Sequence, residues 1–139
     1  MAEQTTQPLI QAVTHVTVQV RDQEKAKAWY TEKFGFEVRN DVPMENGLRW
    51  ITVAPPGTTS PELALMPPQS APGDPSPPGF RSGPVIVLQV ADCRTATETL
   101  ERRGVQVVSP AEDVPWGVSS IVRDLDGNPY NLVESRPMA

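Results

Sequence analysis

Histidine and cysteine are almost absent from this chain: of 139 residues, one is histidine, His15, and one is cysteine, Cys93. A single cysteine allows neither an intrachain disulfide nor a cysteine-based zinc site, and with no histidine near it Cys93 is not expected to act as a nucleophile. No apolar run approaches the ~18 residues of a membrane helix, and residues 1–11 lack the basic and apolar regions of a secretory signal. We therefore expect a cytoplasmic protein that does not cross a membrane.

Basic residues are also scarce, with 12 lysines and arginines against 17 aspartates and glutamates, and the net charge is −5. Binding to nucleic-acid phosphates or to anionic lipid needs clustered positive charge, so neither partner is expected. The 38% of hydrophobic and 21% of charged residues are ordinary for a folded protein, and the length fits one domain over residues 1–139.

Alternation of valines with polar residues, His15 among them, predicts a first strand over residues 13–20. Asp22 follows as a helix cap, residues 23–34 have helical spacing, and Gly35 ends the helix. Further strands are predicted over 36–42, 48–54 and 62–66. The second half repeats this order, with strands over 85–90, 105–108, 117–123 and 130–134 and a helix over 93–103.

Internal comparison supports the repeat. A shift of 70 residues places 16–20 on 86–90, Asp22 on Asp92 and Gly57 on Gly127, whereas a shift of 69 places Gly35 on Gly104 and Leu63 on Leu132. Two βαβββ modules are the economical interpretation. Residues 67–84, which contain seven of the 16 prolines, are predicted to form an irregular linker between them.

Four segments resemble the vicinal oxygen chelate superfamily, which includes glyoxalase I, bleomycin-resistance proteins, fosfomycin-resistance enzymes and extradiol dioxygenases. They are residues 14–18 (THVTV), 28–36 (AWYTEKFGF), 61–67 (PELALMP) and 124–128 (DLDGN). The resemblance covers roughly residues 12–135. It implies an α+β fold of two tandem βαβββ modules, about 12–66 and 85–135, which form cupped mixed sheets with helices on the outer face. It also implies a homodimer.

In the metal-dependent members of that superfamily, the first and last strands of each module supply the ligands. The resemblance places His15 and Glu62 at two such positions, where they would ligate a divalent ion or act as catalytic bases; the alternative is that both are ordinary polar strand residues. By the internal repeat, His15 corresponds to Val85 and Glu62 to Asn131, so the second module offers one apolar residue and one amide. The metal site is therefore expected to be partial.

Other side chains are candidates for ligand contact. Trp50 shares a strand face with Thr52, and Trp116 precedes a glycine in a loop, so each either stacks on a ligand or fills the core. Gln89 and Asn131 either bind the ligand or make structural hydrogen bonds. Trp29 and Tyr30 have the helical spacing of core residues.

Two functions from different classes fit these residues. The first is a protein that holds a small organic molecule in the cup of the sheet, as bleomycin-resistance proteins do, with no cofactor. The alternative is a metal-dependent lyase, isomerase or dioxygenase that uses His15 and Glu62 with a divalent metal. The shortage of ligands places binding first, because non-haem iron sites generally need two histidines and a carboxylate. A component or regulator that only dimerises is a third option.

Overall fold

A computed structural model of the chain describes residues 8–67 and 86–136. These residues form two modules, each with one helix packed on one face of a four-stranded sheet. The first contains β1 (His15–Gln19), α1 (Gln23–Trp29) with a π-helical turn at Tyr30–Phe34, β2 (Glu37–Pro43), a 3₁₀ turn at Glu45–Gly47, β3 (Arg49–Ala54) and β4 (Glu62–Met66). The second contains β5 (Ile86–Gln89), α2 (Cys93–Arg102), β6 (Gln106–Val114), β7 (Gly117–Arg123) and β8 (Pro129–Ser135).

The two sheets have the same topology. Their strand orders are β1-β4-β3-β2 and β5-β8-β7-β6. The first and last strands of each module pair in parallel and the other pairs are antiparallel. The predicted α+β fold of two tandem modules is therefore confirmed. Apart from Pro67, the predicted linker and Val85 lie outside the described residues, and no helix within the described ranges is long and apolar enough to span a bilayer.

Both helices begin where the sequence predicts. The carboxylate of Asp22 accepts a hydrogen bond from the Lys25 backbone N–H, and Asp92 accepts one from Thr95, each at 3.0 Å. Thirteen positions separate Asp22 from Gly35 (35 − 22), but twelve separate Asp92 from Gly104 (104 − 92). The π-helical turn absorbs the additional residue of the first module, which explains why the repeat shift changes from 70 to 69.

Strand β6 is the element that the sequence predicted least well. The prediction ended at residue 108, whereas the strand continues to Val114 and includes Pro110. Proline is tolerated because β6 is an edge strand and its pairing with β7 is irregular between Ser109 and Glu112. Pro110 and the acidic residues Glu112 and Asp113 give no strand signal, so the predicted strand was too short.

The two modules share one hydrophobic core, and the turn that precedes β8 connects them. In this turn, Asp124 accepts hydrogen bonds from the backbone N–H of Asp126 and from both the backbone and the side chain of Asn128. The side-chain amide of Asn128 also donates to the Gln19 carbonyl oxygen at 2.9 Å. The turn of the second module thus holds the end of β1, the strand that carries His15.

Candidate functional site

His15 and Glu62 lie side by side on the sheet of the first module. They are direct neighbours in the parallel pair of β1 and β4, and the residues that follow them, Val16 and Leu63, pack in the core under α1. Because successive side chains of a strand point to opposite faces of the sheet, His15 and Glu62 lie on the face away from the helix, which is the cup face. The Nε2 atom of His15 lies 3.4 Å from Oε1 of Glu62, and their side chains are 36% and 18% exposed.

Polar neighbours hold this pair in place. The Nδ1 atom of His15 lies 3.0 Å from the Thr14 hydroxyl oxygen. The side-chain amide of Asn40 donates to Oε1 of Glu62 at 3.4 Å and to the Thr52 hydroxyl oxygen at 2.9 Å. With Nε2 protonated, the imidazole donates to Glu62 and accepts from Thr14 at Nδ1, so each group has a partner.

Sequence reasoning missed Asn40. It lies on β2 directly opposite Thr52 of β3, so its place beside Glu62 depends on the register of that hairpin. From the sequence, Thr52 served only to state which strand face Trp50 lies on. The alternation in β2 could have marked Asn40 as a residue of the cup face, but not as a partner of Glu62.

Trp50 forms the aromatic wall of the site. Its neighbour Ile51 is fully buried in the core, which places Trp50 on the cup face. The indole and the His15 imidazole meet edge to face, with ring centroids 5.2 Å apart and an interplanar angle of 60°. Of the predicted site residues, the structure therefore brings together His15, Glu62 and Trp50.

The cup face of the second module carries other chemistry. Asn131 donates from its side-chain amide to the Ser119 hydroxyl oxygen and to the Ser120 carbonyl oxygen, each at 2.7 Å. Both hydrogen bonds remain within its own sheet and use the amide N–H groups of Asn131 as donors. Gln89 is exposed at the end of β5, and Val87 on the same cup face is 61% exposed.

The alignment of Glu62 with Asn131 was wrong by two residues. The amide of Val20 donates to the Met66 carbonyl oxygen, and that of Val90 to Val133, so Met66 and Val133 are equivalent. Two residues before this equivalent pair, Ala64 of β4 matches Asn131 of β8. Four residues before it, Glu62 matches Pro129. The cause is the turn between the last two strands: nine residues separate the paired Val53 and Leu63, but seven separate Val122 and Tyr130.

Trp116 lies apart from these groups. It is 50% exposed in the turn between β6 and β7, and within the described chain it makes no ring contact. Gly117 fixes this turn, since a Cβ atom there would lie 1.9 Å from the Glu134 carbonyl oxygen. The structure therefore does not join Trp116 to the group around His15.

The side chains around His15 form a poor set of metal ligands. Residues 8–67 and 86–136 contain no cluster of three or more His, Cys, Asp or Glu side chains that could hold an ion. Asn40 points its amide hydrogens at the carboxylate of Glu62, which offers donors where a metal needs oxygen ligands. The described residues of one chain therefore do not fit a divalent metal site.

Comparison with known proteins identifies the family. The family model for the Glyoxalase/Bleomycin resistance protein/Dioxygenase superfamily matches residues 12–132. The chain belongs to this superfamily. A curated relative, the Bacillus subtilis protein YetH, is 31% identical over 126 residues, which cover 91% of this chain and 100% of the relative.

Two solved structures are similar to this chain in both fold and sequence. A superfamily member from Sphaerobacter thermophilus has 37% identity and a TM-score of 0.78, covering 91% of this chain and 98% of its own. TnmS3, an antibiotic binding protein from a Streptomyces species, has 35% identity and a TM-score of 0.77, covering 93% and 99%. The expected superfamily membership is thus confirmed.

Proposed function

We propose that this chain is a binding protein that holds a small organic molecule in the cup beside His15, Glu62 and Trp50, without a complete metal site. The observation that carries the proposal is the edge-to-face contact between His15 and Trp50, 5.2 Å between centroids, next to a Glu62 carboxylate that is 18% exposed. An aromatic wall beside a few oriented polar groups is the usual composition of a small-molecule site.

The chemistry of these groups indicates a planar, unsaturated ligand with hydroxyl or amine donors. The indole of Trp50 offers a flat apolar surface, and Glu62 offers a carboxylate oxygen as acceptor. His15 adapts to either donor or acceptor, because the Thr14 hydroxyl can reverse its own role. The similarity to TnmS3, an antibiotic binding protein, supports an antibiotic as the ligand.

The proposal includes a homodimer. Apolar side chains remain exposed on both cup faces: Val42 is 48% exposed in the first module and Val87 is 61% exposed in the second. A second copy that covers these faces would bury them and enclose the ligand. The location in the cytoplasm stays a prediction from the sequence.

Tryptophan fluorescence tests the binding site. Purified protein is titrated with a panel of planar aromatic antibiotics and with non-aromatic antibiotics as controls. We expect quenching by one or more aromatic compounds, roughly tenfold weaker binding in Trp50→Phe, and unchanged affinity in the matched variant Trp116→Phe. Equal affinity in Trp50→Phe and the parent protein would show that the ligand does not use this wall.

The geometry also favours a second function, an enzyme with His15 as general base. Nε2 of His15 lies 3.4 Å from Glu62, an arrangement in which the carboxylate orients the imidazole. The metal-dependent form of this function, a lyase, isomerase or dioxygenase, requires ligands from two copies of the chain. Turnover of a bound compound, lost in His15→Ala with binding retained, would place the enzyme first.

A further inference from the structure

A second cavity lies outside the cup, at the junction of the two modules. It has a volume of about 350 Å³, within the lower range of small-molecule sites. Its walls come from α2 and the helix-facing side of β5 and β8, and from the end of the first helix and the turn after β3. Of the predicted site residues, Gln89 at the end of β5 is in its lining, but His15, Glu62, Trp50 and Asn131 are not, so the cavity is separate from the proposed ligand site beside His15.

The cavity is apolar along its floor. Leu100 and Leu132 are buried core residues, and Leu88 and Phe34 pack against the same core. Phe36, 8% exposed, closes the side that belongs to the first module. This lining suits a short hydrocarbon or a single aromatic ring.

Arg103 supplies a positive charge at the cavity. Its Nη1 donates to the Lys33 carbonyl oxygen at 2.7 Å, and the structure gives its guanidinium no other hydrogen bond within the described residues. Lys33, which does not line the cavity, donates from Nζ to the Arg103 carbonyl oxygen at 2.6 Å, so the two residues form a reciprocal pair of hydrogen bonds across the junction. Thr99 adds a hydroxyl to the same lining.

We propose that this cavity binds a small amphipathic carboxylic acid, whose hydrocarbon part lies against the leucines and whose carboxylate pairs with Arg103. A guanidinium with unused N–H groups is the side chain best matched to a carboxylate. A ligand bound there touches both modules and strengthens their contact, because anything that binds only the folded state stabilises it.

The test uses octanoate, with octanol as the uncharged analogue. In amide NMR titrations of the full chain, octanoate is expected to shift Leu88, Ala96, Thr99 and Leu100 with a dissociation constant on the order of 1 mM, as expected for a ligand of this size. The melting temperature should rise with octanoate concentration. Octanol should bind at least about tenfold more weakly, since it lacks the charge.

Matched variants distinguish recognition of the octanoate carboxylate from stabilisation of the contact between the two modules. Arg103→Gln should weaken octanoate binding by about tenfold or more. Arg102→Gln changes the neighbouring arginine, which does not line the cavity, and Lys33→Gln removes the reciprocal bond across the junction. Both should bind octanoate within about twofold of the parent.

A filled cavity gives an independent check. Ala96→Leu places a larger side chain in the lining and should abolish octanoate binding while the antibiotic titration of the cup is unchanged. Octanoate shifts confined to residues around His15 and Trp50, or parent-like affinity in Arg103→Gln, would overturn the proposal. The cup's own function is tested separately by Trp50→Phe, so the two proposals can fail independently.

Discussion

The hydroxyl groups of Tyr30 and Tyr130 lie 2.6 Å apart at the buried contact between the two modules. Tyr30 donates its proton to the carboxylate of Asp124, so Tyr130 must donate to Tyr30. Burial, more than any other cause, holds the pKa of both tyrosines above the ordinary value. The two phenols therefore stay protonated, and the chain of hydrogen bonds runs from the second module through the first and back to the second.

This order predicts unequal effects of two phenylalanine substitutions. Tyr30→Phe removes the donor to Asp124 and leaves Tyr130 without an acceptor, which should lower the free energy of unfolding by about 2–3 kcal/mol. Tyr130→Phe removes only the outer donor and should cost about 1 kcal/mol. Urea unfolding of both variants measures the difference. A larger loss in Tyr130→Phe would contradict the assigned direction.

Asp126 should make stability depend on pH. Burial raises the pKa of this carboxyl, which is 7% exposed, and its Oδ2 has no hydrogen-bond partner among the described residues. The Arg21 backbone N–H and guanidinium oppose the rise, and the carboxylates of Asp124 and Asp22 add to it. Because the folded pKa is raised, the stabilising contribution is complete below the unfolded pKa and is lost as the pH rises through the folded value.

Asp126→Asn is therefore expected to unfold at higher urea concentration than the parent at pH 7, with no advantage at pH 4. Asp92→Asn is the control, in which the pH dependence of stability should have the opposite sign, because the hydrogen bond from the N–H of Thr95 lowers the pKa of Asp92. That variant should be less stable than the parent at pH 7, and the loss should diminish as the pH falls through the folded pKa. If Asp126→Asn shows the same dependence as Asp92→Asn, the assigned cause is wrong.

Purified protein should contain little stoichiometric metal. His15 and Glu62 supply two ligands. On the same cup face, Ala64 of β4 supplies no ligand and Asn131 of β8 supplies only a neutral amide. A catalytic zinc site needs three protein ligands and a structural site four. Elemental analysis of protein prepared without chelators measures this. Near one zinc, nickel, iron or manganese per site, lost in His15→Ala, would support the metal enzyme instead.

The homodimer is tested by sedimentation at micromolar concentration. We expect a species of twice the 15.2 kDa mass of the chain. Val87→Asp places a charge on the exposed cup face of the second module and should shift the equilibrium toward monomer by roughly tenfold or more. Leu125→Asp, on a turn residue that is 40% exposed, is the control and should leave it unchanged. A parent protein that sediments only as monomer would count against a shared cup.

Local patterns in the sequence were enough to predict both modules. Alternating valines, the aspartate caps and the glycines after each helix depend on neighbouring residues, and such signals survive in a single chain. The same alternation placed His15 and Glu62 on one face of parallel β1 and β4. It could not place Asn40 beside Glu62, because that contact depends on the register of β2 against β3.

Only the tertiary structure decided which residues of the two modules are equivalent, because the two-residue alternation of a strand cannot distinguish alignments that differ by two positions. Matching Asn131 with Glu62 or with Ala64 keeps every side chain on its own face, because a slip of two residues preserves the alternation. Only the ladder of hydrogen bonds, with Val20 on Met66 and Val90 on Val133, fixes the alignment. The sequence by itself determined the two modules and the faces of their strands. Long-range packing determined that His15 meets Trp50 and that Tyr30 meets Tyr130 across one hundred residues.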